Sequence, residues 1–178
     1  TAGDNSYGQL GKTNASLNTK LTQVQNLTNV EKIAAGDNFC VAMDSFGITY
    51  VWGEGFGSTP EALDTNIRSI SYLAAGGEDQ IVMILPTGEV YGMGSILNGT
   101  IKNFDKAVKV EVGDDYLLIL DTDGNVHTYK NNVLTKANTI NNAIDISVSG
   151  DTKMYQKVNE KVFVWGDNTN GQLGTNDT

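Results

Sequence analysis

The chain carries GDNSYGQLG at residues 3–11 and GDNTNGQLG at residues 166–174, identical at seven of nine positions and 163 residues apart. Self-similarity at a fixed period marks a repeat architecture, in which each unit buries its apolar surface only against its neighbours. Three landmarks fill the interval. The first is a small-residue strand ending in glycine, IAAG, LAAG, VEVG and SVSG, with Gly36, Gly76, Gly113 and Gly150 spaced by 40, 37 and 37 residues. The second is a turn: DSFG ending at Gly47, LPTG at Gly88, DTDG at Gly124 and VNE at Glu160. The third is an aromatic strand after the turn, ITYVWG, EVYGMG, NVHTYK and KVFVWG, which brings Trp52, Met93, Tyr129 and Trp165 into register. Steps from Gly3 to Gly53, Gly94, Lys130 and Gly166 are 50, 41, 36 and 36 residues. The chain therefore reads as one repeat array with approximate repeats 12–53, 54–94, 95–130 and 131–174, and with 1–11 as the end of a preceding repeat.

Each unit contains a hairpin. FCVAMD runs into DSFG and ITYVW leaves it, and the glycine of the turn supplies the positive φ that a tight hairpin needs. The outgoing strand is apolar on both faces: Ile48, Tyr50 and Trp52 alternate with Val51, and Phe163 and Trp165 with Val162 and Val164. Sheets buried on both faces and repeated radially are what stacked propeller blades require. The segment LTQVQNLTNVEKI (21–33) reads as extended chain entering the IAAG strand rather than as a helix. The expected fold is all-β: four β-propeller blades forming an incomplete ring, with an apolar blade face exposed at each end unless something covers it.

Composition limits the function classes. Net charge is −9 and Arg68 is the sole arginine. Binding to a phosphate backbone is driven by Lys and Arg displacing counterions, so nucleic acid is not an expected partner. No apolar run approaches the roughly 20 residues of a membrane helix, so no membrane insertion is expected. Cys40 is the sole cysteine and leaves no disulfide framework within the segment.

Residues 21–55, LTQVQNLTNVEKIAAGDNFCVAMDSFGITYVWGEG, together with the GDNTNGQLG-type segment, resemble the repeat of the regulator of chromosome condensation family. The resemblance covers the whole chain and implies a β-propeller, usually of seven blades. Departures are visible. The family often has His in the strand after Ala-Gly, where this chain has Phe39, Gln80, Tyr116 and Lys153. Ala2 stands in place of Trp in the leading fragment, and the third repeat reads TYKNN (128–132), without Trp-Gly or Gln-Leu-Gly. Four repeats do not make a seven-bladed ring. The family includes a nucleotide-exchange factor for the GTPase Ran and secreted bacterial propellers, one of which inhibits β-lactamase. The Asn/Thr-rich, Arg-poor, acidic composition is similar to the bacterial exported group, and implies a secreted or cell-surface location.

Side chains that could carry chemistry have structural readings. His127 aligns with Tyr50, Tyr91 and Phe163 and reads as filling an aromatic packing slot. Cys40 lies in a strand and reads as a small buried hydrophobe. DTDGN (121–125) has two acids in a short loop, but the twelfth position, where a calcium loop needs Glu, is Asn132. No catalytic, cofactor-binding or metal-ligating residues are therefore assigned. One constellation points outward. The residues after Ala-Gly are acidic in every repeat: Asp37, Glu78 and Asp79, Asp114 and Asp115, and Asp151. Strand direction reverses at each hairpin, so these loops and the loops after Trp-Gly, with Asp4, Glu54 and Asp167, belong at one end of the blades. Such a rim focuses negative potential and draws a basic partner. The expected function is a non-catalytic protein-interaction module within a larger exported or surface protein. The alternatives are a structural subunit completed by another copy or by further repeats, and an exchange-factor or enzyme-inhibitor role implied by the resemblance.

Overall fold

The computed structural model describes residues 1–13, 17, 19–63, 65–158 and 161–175. Among them there is no helix. Fifteen strands form four antiparallel sheets. The first sheet is β1 to β4 (Val30–Ala35, Phe39–Asp44, Thr49–Gly53, Gly57–Ala62), and the second is β5 to β8 (Tyr72–Gly76, Gln80–Ile84, Val90–Met93, Gly99–Thr100). The third is β9 to β12 (Ala107–Val112, Leu117–Asp121, Val126–Lys130, Val133–Lys136), and the fourth is β13 to β15 (Ala143–Ser149, Thr152–Lys157, Val162–Trp165). Strands follow one another in space as in sequence, so every sheet is a meander. Residues 21–29 run as non-helical chain into β1. The architecture is an open array of propeller blades; the ring is not closed.

Register explains the recurring aromatic. Trp52 pairs with Cys40, Met93 with Ile81, Tyr129 with Leu117, and Trp165 with Lys153. The second-to-third-strand hairpin is thus superimposable in all four sheets. The fourth sheet is offset by one residue from its sequence alignment. Lys153 pairs like Cys40, so the place of Phe39, Gln80 and Tyr116 falls to Thr152, beside Gly166. The turn at Glu160 lies outside the described residues. Sheets one to three add a fourth strand, so each sheet extends past the aromatic landmark that closes a sequence repeat: the first, for instance, runs to Ala62. Those outer strands are short and polar, and Pro60 and Glu61 in β4 suit an edge without a further neighbour.

The core lies between sheets. Phe39, Val41, Met43 and Val51 of the first sheet meet Leu73, Ile81 and Met83 of the second. Val82, Ile84 and Val90, the alternate residues of the second, meet Val110, Leu117 and Ile119 of the third. Tyr116, Leu118, Leu120 and Val126 then meet Ile146 and Tyr155 of the fourth. Alternation along one strand supplies two interfaces, which is why these strands are apolar at successive positions. Connecting segments cap each interface, with Ile67 and Ile70 in the first and Ile101 and Phe104 in the second. Burying a Leu or Ile of this kind contributes about 1.5–3 kcal/mol.

The Trp-Gly glycine has a steric cause. Gly53 has φ +110° and Gly166 φ +123°, and a Cβ at either would run into the preceding loop, at the carbonyl of Asn38 or of Asp151. The third sheet escapes this requirement by another backbone route: Lys130 occupies the place, followed by Asn131 and Asn132 at φ 52° and 63°.

Candidate functional site

In each sheet the loop after the first strand touches the end of the third strand or the loop that follows it, in the fourth sheet through the close approach of Gly166 to the Asp151 carbonyl. The Glu54 amide donates to the Asn38 carbonyl at 2.9 Å, and Asn38 Nδ2 donates to Glu54 Oε2 at 2.9 Å. Ser95 Oγ donates to Asp79 Oδ1 at 2.8 Å in the second sheet, and Lys130 Nζ pairs with Asp115 Oδ2 at 2.6 Å in the third. Neighbouring sheets meet at the same end. The Asp37 amide donates to the Gly77 carbonyl at 2.9 Å, and the Tyr116 hydroxyl to the Gly150 carbonyl at 2.8 Å. Ser95, Asp114, Asp115 and Asn132 line a groove of about 350 Å³ between the second and third sheets. The structure thus gathers Asp37, Glu78, Asp79, Asp114, Asp115 and Asp151 at one end of the array, all exposed. The hairpin turns, with Gly47, Gly88 and Gly124, occupy the other end.

Tyr116 lies beside these acids. Burial, joined by the charges of Asp151, Asp114 and Asp115, pushes its phenol up to about 12. Two lysines soften the charge. Lys153 Nζ sits 4.4 Å from the centre of the Tyr116 ring and donates to the Asp151 carbonyl at 3.1 Å, and Lys130 holds Asp115. Sequence reading did not assign these three residues to the rim. Lys130 carries a signal, since it replaces the glycine of Trp-Gly. Lys153 is misplaced by the one-residue offset, and Tyr116, which stands where the family often has His, is also part of the core.

The two GDNxxGQLG loops, in which x is any residue, fold alike. In the first, Asn5 Oδ1 accepts from the Leu10 amide at 2.8 Å, and Gln9 Nε2 donates to Asp4 Oδ2 at 3.1 Å. In the second, Asn168 Oδ1 accepts from the Leu173 amide at 2.9 Å, and Gln172 Nε2 donates to Asp167 Oδ2 at 2.7 Å. A hydroxyl donor, Ser6 in one loop and Thr169 in the other, is the main influence holding the Asp4 and Asp167 carboxyls below the ordinary range. The conserved letters are those that close the loop. The first loop is also docked: Trp52 Nε1 donates to the Gln9 carbonyl at 2.9 Å, the Cys40 thiol lies 3.4 Å from the same oxygen, and Leu10 is buried.

Cys40 and His127 sit in different sheets, the first and the third. Burial raises the Cys40 thiol. His127 is buried, edge-on to Phe104 with ring centres 5.0 Å apart, and its Nε2 lies 2.8 Å from Asp121 Oδ2. Asp121, of the DTDGN segment, spends its other oxygen on the turn, accepting from the Asp123 and Asn125 amides at 2.9 and 2.8 Å. Among the described residues no three His, Cys, Asp or Glu side chains are grouped to hold a metal ion. None of the helical kind of membrane span occurs among them either.

The family model for the regulator of chromosome condensation (RCC1) repeat matches residues 1–43. No curated protein sequence matches the chain significantly. Among solved structures, human WBSCR16 superimposes with a TM-score of 0.80 at 18% identity, covering 97% of this chain and 59% of that one. Prp20p from Saccharomyces cerevisiae, described with its binding to Gsp1p and histones, gives 0.76 at 18% identity, covering 97% and 54%. Yeast RCC1 (Prp20) bound to Kap60 gives 0.72 at 17% identity, covering 97% and 53%. The chain thus spans somewhat over half the length of these structures. Residues 1–43 are similar to the RCC1 repeat, and the chain as a whole has a propeller fold like that of these structures.

Proposed function

We propose that this chain is a non-catalytic protein-interaction module whose working surface is the acidic end of its blades, and that its partner presents a basic protein surface. The observation that carries the reading is the gathering of Asp37, Glu78, Asp79, Asp114, Asp115 and Asp151 on loops held by rigid sheets. Loops on a fixed scaffold are where binding residues concentrate. Carboxylates within a Debye length, about 8–10 Å at ordinary salt, add their fields. The similarity to Prp20p, described with its binding to histones, supports both a protein partner and a basic one. The same structure's binding to Gsp1p supports a second reading, an exchange-factor-like role. Composition supports placement in a larger exported or surface protein, since the sequence is acidic and nearly free of Arg.

The test neutralises all six acids to Asn or Gln and follows association with core histones as a basic probe at several salt concentrations. The variant should fold like the parent, because exposed charges contribute little to stability. Its association should be slower and its salt dependence flatter, the mark of lost steering. An unchanged, equally salt-sensitive rate would show that the acidic end does not steer binding.

A further inference from the structure

Gln80 enters the second strand of its sheet where Phe39 and Tyr116 enter theirs, one residue before Ile81, Cys40 and Leu117 of the matching pairs. The two rings fold back over the glycine that ends the preceding strand, so a Cβ on Gly36 or Gly113 would strike them. Gln80 turns the other way. Its Oε1 would stand 2.8 Å from a Cβ on Gly94, at the end of the third strand, and Val112 of the third sheet fills the space beside Gly76. The side chain is buried and its carboxamide is fully used. Oε1 accepts from the Ile96 and Leu97 amides, both at 2.9 Å, and Nε2 donates to the carbonyls of Ile81 at 2.9 Å and Leu97 at 3.1 Å. Four bonds satisfy both donors and both acceptor sites of a primary carboxamide, and a buried polar group so satisfied holds its partners in one arrangement.

The GDNxxGQLG loops make the same pattern within themselves. Asn5 Oδ1 accepts from the amide of the buried Leu10, and Asn5 Nδ2 donates to the Lys12 carbonyl at 3.1 Å. Leu97, whose amide Gln80 holds, is buried like Leu10. The hydroxyls correspond as well: Ser6 Oγ donates to Asp4 Oδ1 at 2.7 Å, and Ser95 Oγ to Asp79 Oδ1 at 2.8 Å. The second sheet reads Gly94, Ser95, Ile96 where those loops read Gly-Asp-Asn. It has lost the asparagine, and the carboxamide arrives from the neighbouring strand instead.

We propose that Gln80 is the positioning residue for the second sheet's share of the acidic end: by closing loop 94–98 from the strand, it keeps Ser95 on Asp79 and fixes that carboxylate for a basic partner. This rests on the reading of the acidic end as the binding surface. Gln80 is buried and adds no charge, so its influence falls on how long a complex lasts rather than on how fast it forms. Rim charges govern encounter, whereas a loop ordered in advance spares the complex the cost of ordering it, which appears in dissociation.

Amide exchange of the full chain, followed by dissociation from core histones, tests this. The Ile96 and Leu97 amides lie outside any strand, yet in the parent they should exchange as slowly as those of β7. Gln80→Met keeps the bulk and removes the four bonds. It should speed exchange at both amides about tenfold or more, with β10 unchanged. Dissociation from core histones should become about three- to tenfold faster, while the association rate and its salt dependence stay those of the parent. A loss of stability without loss of positioning would lower the melting temperature and leave dissociation alone. Ser95→Ala, at an exposed site, should also speed dissociation while exchange at Leu97 stays slow, and it keeps the test decisive if Gln80→Met disturbs folding. Fast exchange at Ile96 and Leu97 in the parent overturns the proposal. So does parental dissociation in both variants when neutralising the six acids slows association, a result that leaves the acidic end standing. If the six-acid variant associates like the parent, the binding surface itself is misassigned and the positioning role falls with it.

Discussion

The buried pair Asp121–His127 offers a prediction in which the chain supplies its own control. Asp121 is 4% exposed and accepts four hydrogen bonds, from the Asp123 and Asn125 amides, Asn125 Nδ2 and His127 Nε2. The same corner is built differently elsewhere. In the first sheet Asp44 takes the turn amides of Phe46 and Ile48, with the Tyr50 hydroxyl 3.3 Å away. In the second sheet Leu85 and Tyr91 stand there, and the turn closes through the Leu85 amide to the Glu89 carbonyl at 2.9 Å, with the Thr87 hydroxyl on Glu89 Oε2 at 2.8 Å. The turn therefore forms without a carboxylate at this corner, and what Asp121→Leu leaves behind is a buried imidazole that has lost its carboxylate partner. An unsatisfied buried donor costs about 1–3 kcal/mol and the lost charge-assisted bonds add to it, so Asp121→Leu should cost about 2–4 kcal/mol. At about 2–4 °C per kcal/mol for a chain of this length, Tm should fall by about 5–15 °C. His127→Tyr alone recreates the first sheet's combination and should cost less than about 1 kcal/mol. Asp121→Leu with His127→Tyr recreates the second sheet's combination and should recover about 1–3 kcal/mol of the single-variant loss as coupling between the two sites. Urea denaturation of the four proteins measures this. A double variant whose loss equals the sum of the singles would refute the argument that the buried imidazole, not the turn, is what Asp121 serves.

Acid should act through the same carboxyl. Burial pushes it up, but the bonds from His127, Asn125 and Asp123 outweigh burial and hold it below the ordinary range. A depressed folded value stabilises above the unfolded pKa of about 3.9 and is lost as pH falls through the folded one. The stability gap between parent and Asp121→Leu should therefore shrink on acidification, as read by urea midpoints. Gly53→Ala should destabilise by about 2 kcal/mol or more, because the left-handed backbone and the Asn38 carbonyl both refuse a Cβ. Gly55→Ala, at φ +78° with nothing within 4 Å of the new atom, should cost only about 1 kcal/mol, and thermal melts compare the two. Thr49→Val should raise stability by about 0.5–1.5 kcal/mol, since the buried Thr49 hydroxyl has no hydrogen-bond partner and Val keeps the shape of the strand residue.

What the sequence makes legible is what sterics and packing force to recur. Trp52, Met93, Tyr129 and Trp165 share a register because each must meet the second strand of its own sheet across the same pairing. The Trp-Gly glycines recur because two loops cross too closely for a Cβ. The outer strands do not recur in this way. GSTPEA, GT and VLTK face solvent, bury little, and carry no shared pattern for alternation to reveal. The fourth sheet's offset arises at Ser149–Gly150, where one more residue precedes the turn than in the third sheet. Only pairing shows that Val148, not Ser149, stands opposite Lys153. At the rim, acid positions follow from strand direction, but their lysine partners do not. Lys130 and Lys153 reach Asp115 and the Tyr116 ring across loops of different sequence, and such contacts depend on three-dimensional approach rather than on spacing.

The end of the blades that bears the acidic loops is the proposed binding end. Hydrogen exchange of the full chain with and without core histones tests it most directly, since it reports location as well as affinity. Protection is expected at 36–38, 77–79, 113–116 and 150–152, weakening together as salt is raised. Protection confined to the hairpin turns at 45–48, 86–89 and 122–125, with the acidic loops unchanged, would contradict it.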